Sequence, residues 1–255
     1  MKKKFIFIFL IFIAGCITTE YNVGTRRSDI IFYSTEKEIA LGEKLAKEIL
    51  KSFKVSNNPI DIKRVNSIGE KIASVCDRQE INYYFYVVEA DQNNKREKNA
   101  FSLPGGYIFI FKDLLDMLND NELAFVLAHE VAHVVSRHVI KKLQAAMGYN
   151  LLIIGSMVGT KDPDFTSGLS FALAQVMSAY SRLDEFNADE LAVKYLNILG
   201  IDPKVGIDVL EKLYRENKKE IRPISYFRTH PYTAERIRHI KETLRLPLSV
   251  DDYIN

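Results

Sequence analysis

Apolar positions at helical spacing predict two helices in the first third of the chain. Apolar residues recur at helical spacing from Thr35 through Leu50, and again over about residues 61–75. Thr35 and Glu38 have the spacing of a capping box, which marks a helix start. We interpret both helices as scaffold.

Extended structure is predicted only in the next part of the chain. The segments INYYFYVVEA, residues 81–90, and FSLPGGYIFIFK, residues 101–112, are rich in aromatic and β-branched side chains. Pro104-Gly105-Gly106 separates two short strand-like runs in the second segment, as in an ordinary hairpin. The charged residues between the two segments predict a loop.

The remainder of the chain has helical spacing. Asn119 and Glu122 form a second capping-box pattern and predict a long helix that continues through about Gln144. Further helices are predicted at about 165–180, at 182–199, from Asp202-Pro203 onward, and from about Tyr232 to Leu244. The predicted class is therefore α+β and mostly helical, with one small sheet.

One apolar stretch, AAMGYNLLIIGSMVGT, raises the question of a membrane span. It has fewer than the roughly 18 apolar residues that a span requires, and glycine, asparagine and serine interrupt it. We expect residues 145–168 to form a buried helix or a lid over a cleft.

The N-terminus is predicted to be an export signal that is removed. Three lysines precede an apolar run from Phe5 to Ala14, which is too short for a span of about 20 residues. The run ends in Ile13-Ala14-Gly15-Cys16, which resembles a bacterial lipobox, so we expect residues 1–15 to be a lipoprotein signal peptide and Cys16 to carry lipid. An ordinary signal peptide or a membrane anchor is the alternative. Residues 16–33 are then a tether, and residues 34–255 the folded domain.

Charge and cysteine content exclude some functions. Removal of residues 1–15 takes away three lysines, which leaves 32 Lys and Arg against 33 Asp and Glu, a formal charge of −1. Because such a chain has no global basic field, nucleic acid is not an expected partner. Cys76 would be the only unmodified thiol, and we expect it to be a small buried apolar side chain.

Candidate chemistry is concentrated in LAHEVAHVVSRH. His129 and His133 are four residues apart, so on a helix both imidazoles can converge on one ion, and Glu130 can lie beside it. This H-E-x-x-H pattern predicts two zinc ligands and a general base for the attacking water. His138 lies about 180° from His129 on a continuous helix, so we assign it to packing or to the helix surface.

A catalytic zinc needs a third protein ligand. A histidine six residues after His133 is excluded, because Val139 occupies that position. Glu185 is a candidate from a later helix, with Asp189 one turn beyond it and suited to orient a ligating histidine. Asp184 and Glu190 are competing carboxylates that helical spacing does not exclude.

Four segments in this order, NAFSLPGGYIFI, HEVAHVVSRH, SRLDEFNADELA and RTHPYTAERI, resemble the HtpX and CAAX-prenyl-protease family of zinc metallopeptidases, in its soluble envelope-lipoprotein branch. The resemblance covers most of the chain from Ser34 to Leu246. It implies a zincin-like fold of the gluzincin type, with the small sheet beside the H-E-x-x-H helix. It also implies one Zn²⁺ per chain, ligated by His129, His133 and Glu185.

The resemblance implies further roles as well. Glu130 would be the catalytic base and Asp189 would lie behind the ligands. Asn99, Ala100 and Phe101 would lead into an edge strand that binds an extended peptide. His230, followed by Pro231 and later by Arg236, would lie near the metal and either assist the oxyanion or occupy the fourth zinc position at rest.

The function expected from these features is proteolysis in the bacterial cell envelope. The substrates would be misfolded or damaged exported polypeptides, and the enzyme would be lipid-anchored at the periplasmic face of the outer membrane. The alternative is a chaperone-like lipoprotein that binds unfolded envelope proteins with little or no cleavage. The integral members of the family carry strong membrane spans, whereas the leader holds the only long apolar run here, so processing of prenylated proteins within a membrane is not expected.

Overall fold

The structure is a computed structural model that describes residues 19–31, 33–90, 97–146, 165–220, 224–250 and 252. The expected signal peptide, Cys16 and most of the expected lid at 145–168 lie outside these ranges. The described helices are α1 (Thr35–Ser52), α2 (Pro59–Val75), α3 (Lys112–Leu115), α4 (Asp120–Val135), α5 (His138–Ala146), α6 (Phe165–Val176), α7 (Arg182–Ile198), α8 (Val205–Lys219), α9 (Tyr226–Thr229) and α10 (Thr233–Thr243). The mostly helical α+β class is confirmed.

The sheet has four strands in the order β3 (Lys54–Val55), β4 (Tyr84–Glu89), β6 (Tyr107–Phe111) and β5 (Ala100–Leu103). Strands β4 and β6 are parallel, and the other two pairs are antiparallel. A 3₁₀ turn at Pro104–Gly106 joins β5 to β6, which confirms the predicted hairpin. Gly106 has φ 93°, and a Cβ there would lie 2.0 Å from the carbonyl oxygen of Asn82, so this turn requires glycine.

The sheet lies between two apolar layers. Helices α2, α4, α7 and α8 pack on one face with Phe85, Ile108 and Ile110. Helices α1, α5 and α6 pack on the other face with Phe101, Phe109 and Phe111. The alternation of side chains along β6 supplies both layers, as expected for a strand that is buried on both faces.

Helix α4 is the central helix of the fold. Its N-terminus has the predicted capping box, in which Asn119 accepts from the backbone of Glu122 and the Glu122 side chain accepts from the backbone of Asn119. Every residue from Glu122 to Val135 is buried, because the sheet, α2, α7 and α8 surround the helix. The polar side chains of His129, Glu130 and His133 on this helix are therefore out of contact with bulk water.

The prediction of one continuous helix through Gln144 is wrong. Helix α4 ends at Val135, and Arg137 adopts a left-handed conformation with φ 53°, so α5 begins at a 50° bend. The Arg137 guanidinium donates to Glu38 at 2.7 Å, to Glu20 at 2.6 Å and to Thr35 at 2.9 Å. These contacts stabilise a backbone conformation that a residue with a Cβ adopts at a cost of about 1–2 kcal/mol.

The region expected to be a tether contains a docked hairpin. Strands β1 (Thr19–Asn22) and β2 (Arg27–Ile30) pair antiparallel. Asn22 donates to the Ser136 carbonyl at 2.8 Å, and Asn187 on α7 donates to the Gly24 carbonyl at 3.2 Å. The hairpin is therefore attached to the bend between α4 and α5.

Within the described ranges, no single helix is long and apolar enough to span a membrane. Helices α4 and α5 reach that length and composition only together, as a pair bent by 50°.

Candidate metallopeptidase site

Four side chains from three parts of the fold converge beside helix α4. Helix α4 supplies His129 and His133, helix α7 supplies Glu185, and His230 follows α9. One donor atom from each lies within 4.8 Å of the others, and all four residues are fully buried. We call these four residues the metal group. His129 and His133 lie one helical turn apart, as the sequence predicts, and Glu185 is the carboxylate that meets them.

The distances within this group match the ligands of a single zinc ion. The Nε2 atoms of His129 and His133 are 3.1 Å apart, and each lies 3.4 Å from a Glu185 oxygen. His230 Nδ1 lies 3.3 Å from His129 Nε2 and 3.1 Å from Glu185 Oε1. Ligands at about 2.0–2.1 Å from a tetrahedral zinc are separated by about 3.3 Å. When Nδ1 of His129 donates to Asp189 and Nδ1 of His133 donates to His138, the two facing Nε2 atoms both carry lone pairs, and a cation between them resolves the contact.

Glu130 lies beside the four-residue group and not within it. The side chain is completely buried, and neither of its oxygens has a hydrogen-bond partner of acceptable geometry within the described ranges. Its Oε1 lies 3.2 Å from His230 Nε2. A buried carboxylate without hydrogen bonds is costly, so Glu130 marks a position where a group from outside the chain can supply the partner.

Asp189 and Arg236 form the layer behind the metal group. Asp189 Oδ1 lies 2.9 Å from His129 Nδ1, a contact that fixes the ring with Nε2 towards the site. The buried Arg236 guanidinium donates to both Asp189 oxygens at 2.7 and 2.8 Å and lies 2.9 Å from Glu185. Burial opposes ionisation of Glu185, but the charges of Arg236 and His230 outweigh it and hold the pKa of Glu185 well below its usual range. Glu185 therefore stays anionic.

The assignment of His138 to packing or to the helix surface is corrected by the bend at Arg137. Because α5 turns by 50°, His138 faces back towards α4, and its Nδ1 lies 2.9 Å from Nδ1 of His133. Its Nε2 lies 3.4 Å from Asp184. Burial lowers the pKa of His138 to about 4, so the ring is neutral and can accept a hydrogen bond from His133. His133 is thus oriented by His138 as His129 is by Asp189.

The competing carboxylates have other contacts. Asp184 caps the N-terminus of α7 through Ser181, and Glu190 lies 2.8 Å from His239 near the surface. Cys76 is buried, as expected, and burial raises its pKa.

The predicted substrate-binding residues lie at the edge of the sheet that borders the site. Ala100 and Phe101 begin β5, the terminal strand in the sheet order, and Asn99 precedes it. Asn99 Oδ1 accepts from the hydroxyl of Thr229, the residue before His230, at 3.3 Å. The edge strand is fully buried in this structure.

Tyr180 was not singled out from the sequence, yet it covers the metal group. Its ring stacks on His133 with centroids 3.8 Å apart, and it is 2% exposed. Lys142 of α5 lies 3.9 Å from the centre of the Tyr180 ring and donates to the Ser178 carbonyl at 2.6 Å. No sequence spacing links these residues, because the segments meet only in the folded chain.

These features define the class of protein: a gluzincin-type metallopeptidase, with two histidines from an H-E-x-x-H helix and a glutamate from a later helix that converge beside a second buried carboxylate. The comparison with protein families gives the particular group. Residues 59–244 match the model of peptidase family M48, and the chain belongs to this family. It is a zinc-dependent metallopeptidase, and the predicted fold, enzyme class and cofactor are confirmed.

Individual relatives are similar over most of this chain. Metalloprotease LoiP of Escherichia coli (strain K12) is 32% identical over 187 residues, which are 71% of this chain and 70% of the relative. Beta-barrel assembly-enhancing protease of the same organism is 26% identical over 80% of this chain and 43% of the relative. Mitochondrial metalloendopeptidase OMA1 of Schizosaccharomyces pombe is 27% identical over 71% of this chain and 52% of the relative. The chain thus spans only about half the length of the latter two.

Proposed function

We propose that this protein is an endopeptidase of the bacterial cell envelope that degrades misfolded or damaged exported proteins. The observation that carries the proposal is the buried group of His129, His133, Glu185 and His230 beside the unpaired carboxylate of Glu130. The envelope location is supported by the lipobox-like sequence that ends at Cys16 and by the relatives named beta-barrel assembly-enhancing protease. In this proposal, lipid on Cys16 holds the enzyme at the periplasmic face of the outer membrane.

The metal would be held by His129, His133 and Glu185. Zinc, when bound there, supplies a Lewis acid that polarises the scissile carbonyl and makes water acidic enough to lose a proton near neutral pH. The chain's own contribution is orientation and charge. Asp189 fixes the ring of His129, His138 fixes the ring of His133, and Arg236 keeps Glu185 anionic.

Glu130 is assigned as the general base. Its carboxylate lies against the metal group but is not one of the four converging residues, so it is free to accept the proton of the attacking water. The same oxygen can then return this proton to the leaving amine. Among the described residues the nearest donor is His230 Nε2, 3.2 Å from Oε1, and neither Glu130 oxygen has a hydrogen bond of acceptable geometry, so the carboxylate has no strong hydrogen bond to break before it acts.

His230 is assigned to the fourth position at rest. Its Nδ1 lies 3.1–3.3 Å from Glu185 and His129, and its Nε2 lies 3.2 Å from Glu130. A substrate carbonyl cannot occupy the space that this ring fills. The ring therefore has to withdraw on substrate binding, and from a withdrawn position it can donate to the developing oxyanion.

The substrate is proposed to add as an extended strand along β5, led by Asn99, Ala100 and Phe101. Hydrogen bonds to the strand's backbone would hold a polypeptide of varied sequence, which suits unfolded clients. Tyr180 and the residues of α6 that pack against Phe101 and Leu103 must move away first. The buried metal group and edge strand thus support a closed resting enzyme that unfolded chains open.

The test is Glu130→Gln in the full chain. We expect one zinc per chain in both wild type and variant, with casein cleavage lost only in the variant, because the amide cannot accept the proton. Normal turnover by the variant would contradict the assignment. The same variant distinguishes the chaperone alternative. A chaperone should not cleave casein even as wild type, and both the Glu130→Gln protein and metal-free protein should protect an unfolded client as well as wild type does.

A further inference from the structure

The outer face of the β1–β2 hairpin carries exposed apolar side chains. Tyr21 is 62% exposed, Ile30 53% and Val23 36%. The strand register places Thr19 opposite Ile30 and Tyr21 opposite Ser28, so Tyr21 and Ile30 lie on the same face.

A fourth exposed apolar side chain lies on the helix that contacts the hairpin loop. Leu183 on α7 is 75% exposed and lies one helical turn before Asn187, whose amide donates to the Gly24 carbonyl of the hairpin loop. We call Tyr21, Val23, Ile30 and Leu183 the anchor face. Grouped exposed apolar residues of this kind mark an interaction surface more often than single ones do.

The opposite face of the hairpin is fixed to the body of the protein. Asn22 donates to Ser136, Glu20 pairs with Arg137, and Asp29 lies 2.5 Å from Lys141 of α5. Gln144 near the end of α5 also donates to the Ile30 carbonyl at 3.0 Å. The anchor face is therefore held in a defined orientation relative to the catalytic helix.

The sequence places a lipid beside this face. Only Ile17 and Thr18 separate Cys16 from Thr19, so the cysteine lies within about 10 Å of the start of β1 even in a fully extended chain. Arg26 at the hairpin turn is exposed and matches the anionic headgroups of a bacterial membrane. Tyrosine is also a residue that favours the boundary between headgroups and acyl chains.

We propose that the anchor face rests on the membrane surface into which the Cys16 lipid inserts. The proposal depends on the lipid anchor of the proposed function and adds a fixed orientation to it. Because the hairpin is attached at Ser136, the C-terminal end of α4 faces the bilayer, with His133 two residues, about 3 Å of helix rise, from that end. The active site is then held close to the membrane surface and cleaves polypeptides there. It does not move freely at the end of a long tether.

The test uses the absence of tryptophan from this chain. Tyr21→Trp places one fluorophore on the anchor face, and Tyr214→Trp is the matched control. Tyr214 is 36% exposed and lies on α8. Lys212 of α8 contacts Glu122 in the first turn of α4, at the end of α4 opposite to the one that the hairpin contacts. Each full-length, lipid-modified variant is reconstituted into vesicles of phosphatidylethanolamine and phosphatidylglycerol, with and without bromine-labelled acyl chains.

We expect brominated lipid to quench Tyr21→Trp at least about twofold more than Tyr214→Trp, with a blue-shifted emission for Tyr21→Trp alone, because only that ring enters the interface. Equal quenching of both variants in protein that floats with the vesicles would overturn the placement. Wild-type protein that does not float would show that the anchor is absent, and the placement would fail with it. Zinc content and casein cleavage of the same samples report on the peptidase separately.

Discussion

Replacement of His138 by alanine should weaken zinc binding although His138 is not a ligand. His138 Nδ1 lies 2.9 Å from His133 Nδ1, and both rings are buried. Loss of such an orienting group lowers metal affinity by about 10- to 100-fold, which corresponds to about 1.4–2.8 kcal/mol. Leaving the buried His133 N–H without an acceptor costs about 1–3 kcal/mol, in agreement with that range.

The assay is competition for zinc between the protein and a chromophoric chelator at neutral pH. His138→Asn is the conservative variant, because an amide oxygen can accept from His133 near the position of Nδ1, and it should recover most of the affinity. His239→Ala is the matched control, since His239 stacks on Phe186 near the surface and contacts no metal-group residue. It should bind zinc as wild type does.

Two results would refute this account of His138. Wild-type zinc affinity in His138→Ala would show that the contact with His133 contributes nothing to the ligand. Equal losses in His138→Ala and His138→Asn, with unchanged thermal stability of the metal-free protein, would show that hydrogen-bond acceptance is not the property that matters.

Phe109→Ala should lower the free energy of unfolding in urea by about 3–5 kcal/mol, because it removes a buried ring stacked on Tyr86 and Phe101 at 5.0 and 5.1 Å, and zinc affinity should not change. Burial opposes ionisation of Asp189, but the charge of Arg236 outweighs burial and lowers the pKa of Asp189 below its ordinary value. The ionised Asp189 therefore contributes to the free energy of unfolding above about pH 4, and this contribution is lost as the pH falls through the lowered pKa. In Asp189→Asn, the free energy of unfolding of the metal-free protein should fall less steeply as the pH is lowered. Chelation should lower the melting temperature, and added zinc should restore it.

Regular spacing made the helices and the first part of the site predictable. His129 and His133 follow from a four-residue interval on a helix, and the interval between Glu185 and Asp189 follows from the same geometry. The choice of Glu185 over Asp184 came from the family resemblance. Spacing along one helix cannot show which face of α7 meets α4.

The bend at Arg137 could not be predicted from local sequence. Neither glycine nor proline marks it, and an arginine with positive φ is unusual. Its cause is tertiary, because Glu38 from α1 and Glu20 from the hairpin hold the guanidinium. The error about His138 follows directly, since a straight helix turns that ring away from His133.

The docked hairpin was also not predicted, for a related reason. Strands β1 and β2 have four residues each and lack a regular apolar alternation. Asn22 and Asp29 hold the hairpin through polar contacts to the bend and to α5. Such contacts depend on partners more than 100 positions away in the sequence.

The central claim is that Glu185 completes a zinc site on which cleavage depends. The most direct measurement is zinc content per chain, by metal analysis of purified wild type and Glu185→Ala, with casein cleavage measured in parallel. The account predicts one zinc per chain and cleavage for wild type, and loss of both for Glu185→Ala. A Glu185→Ala protein that keeps one zinc per chain and cleaves casein at the wild-type rate would contradict it.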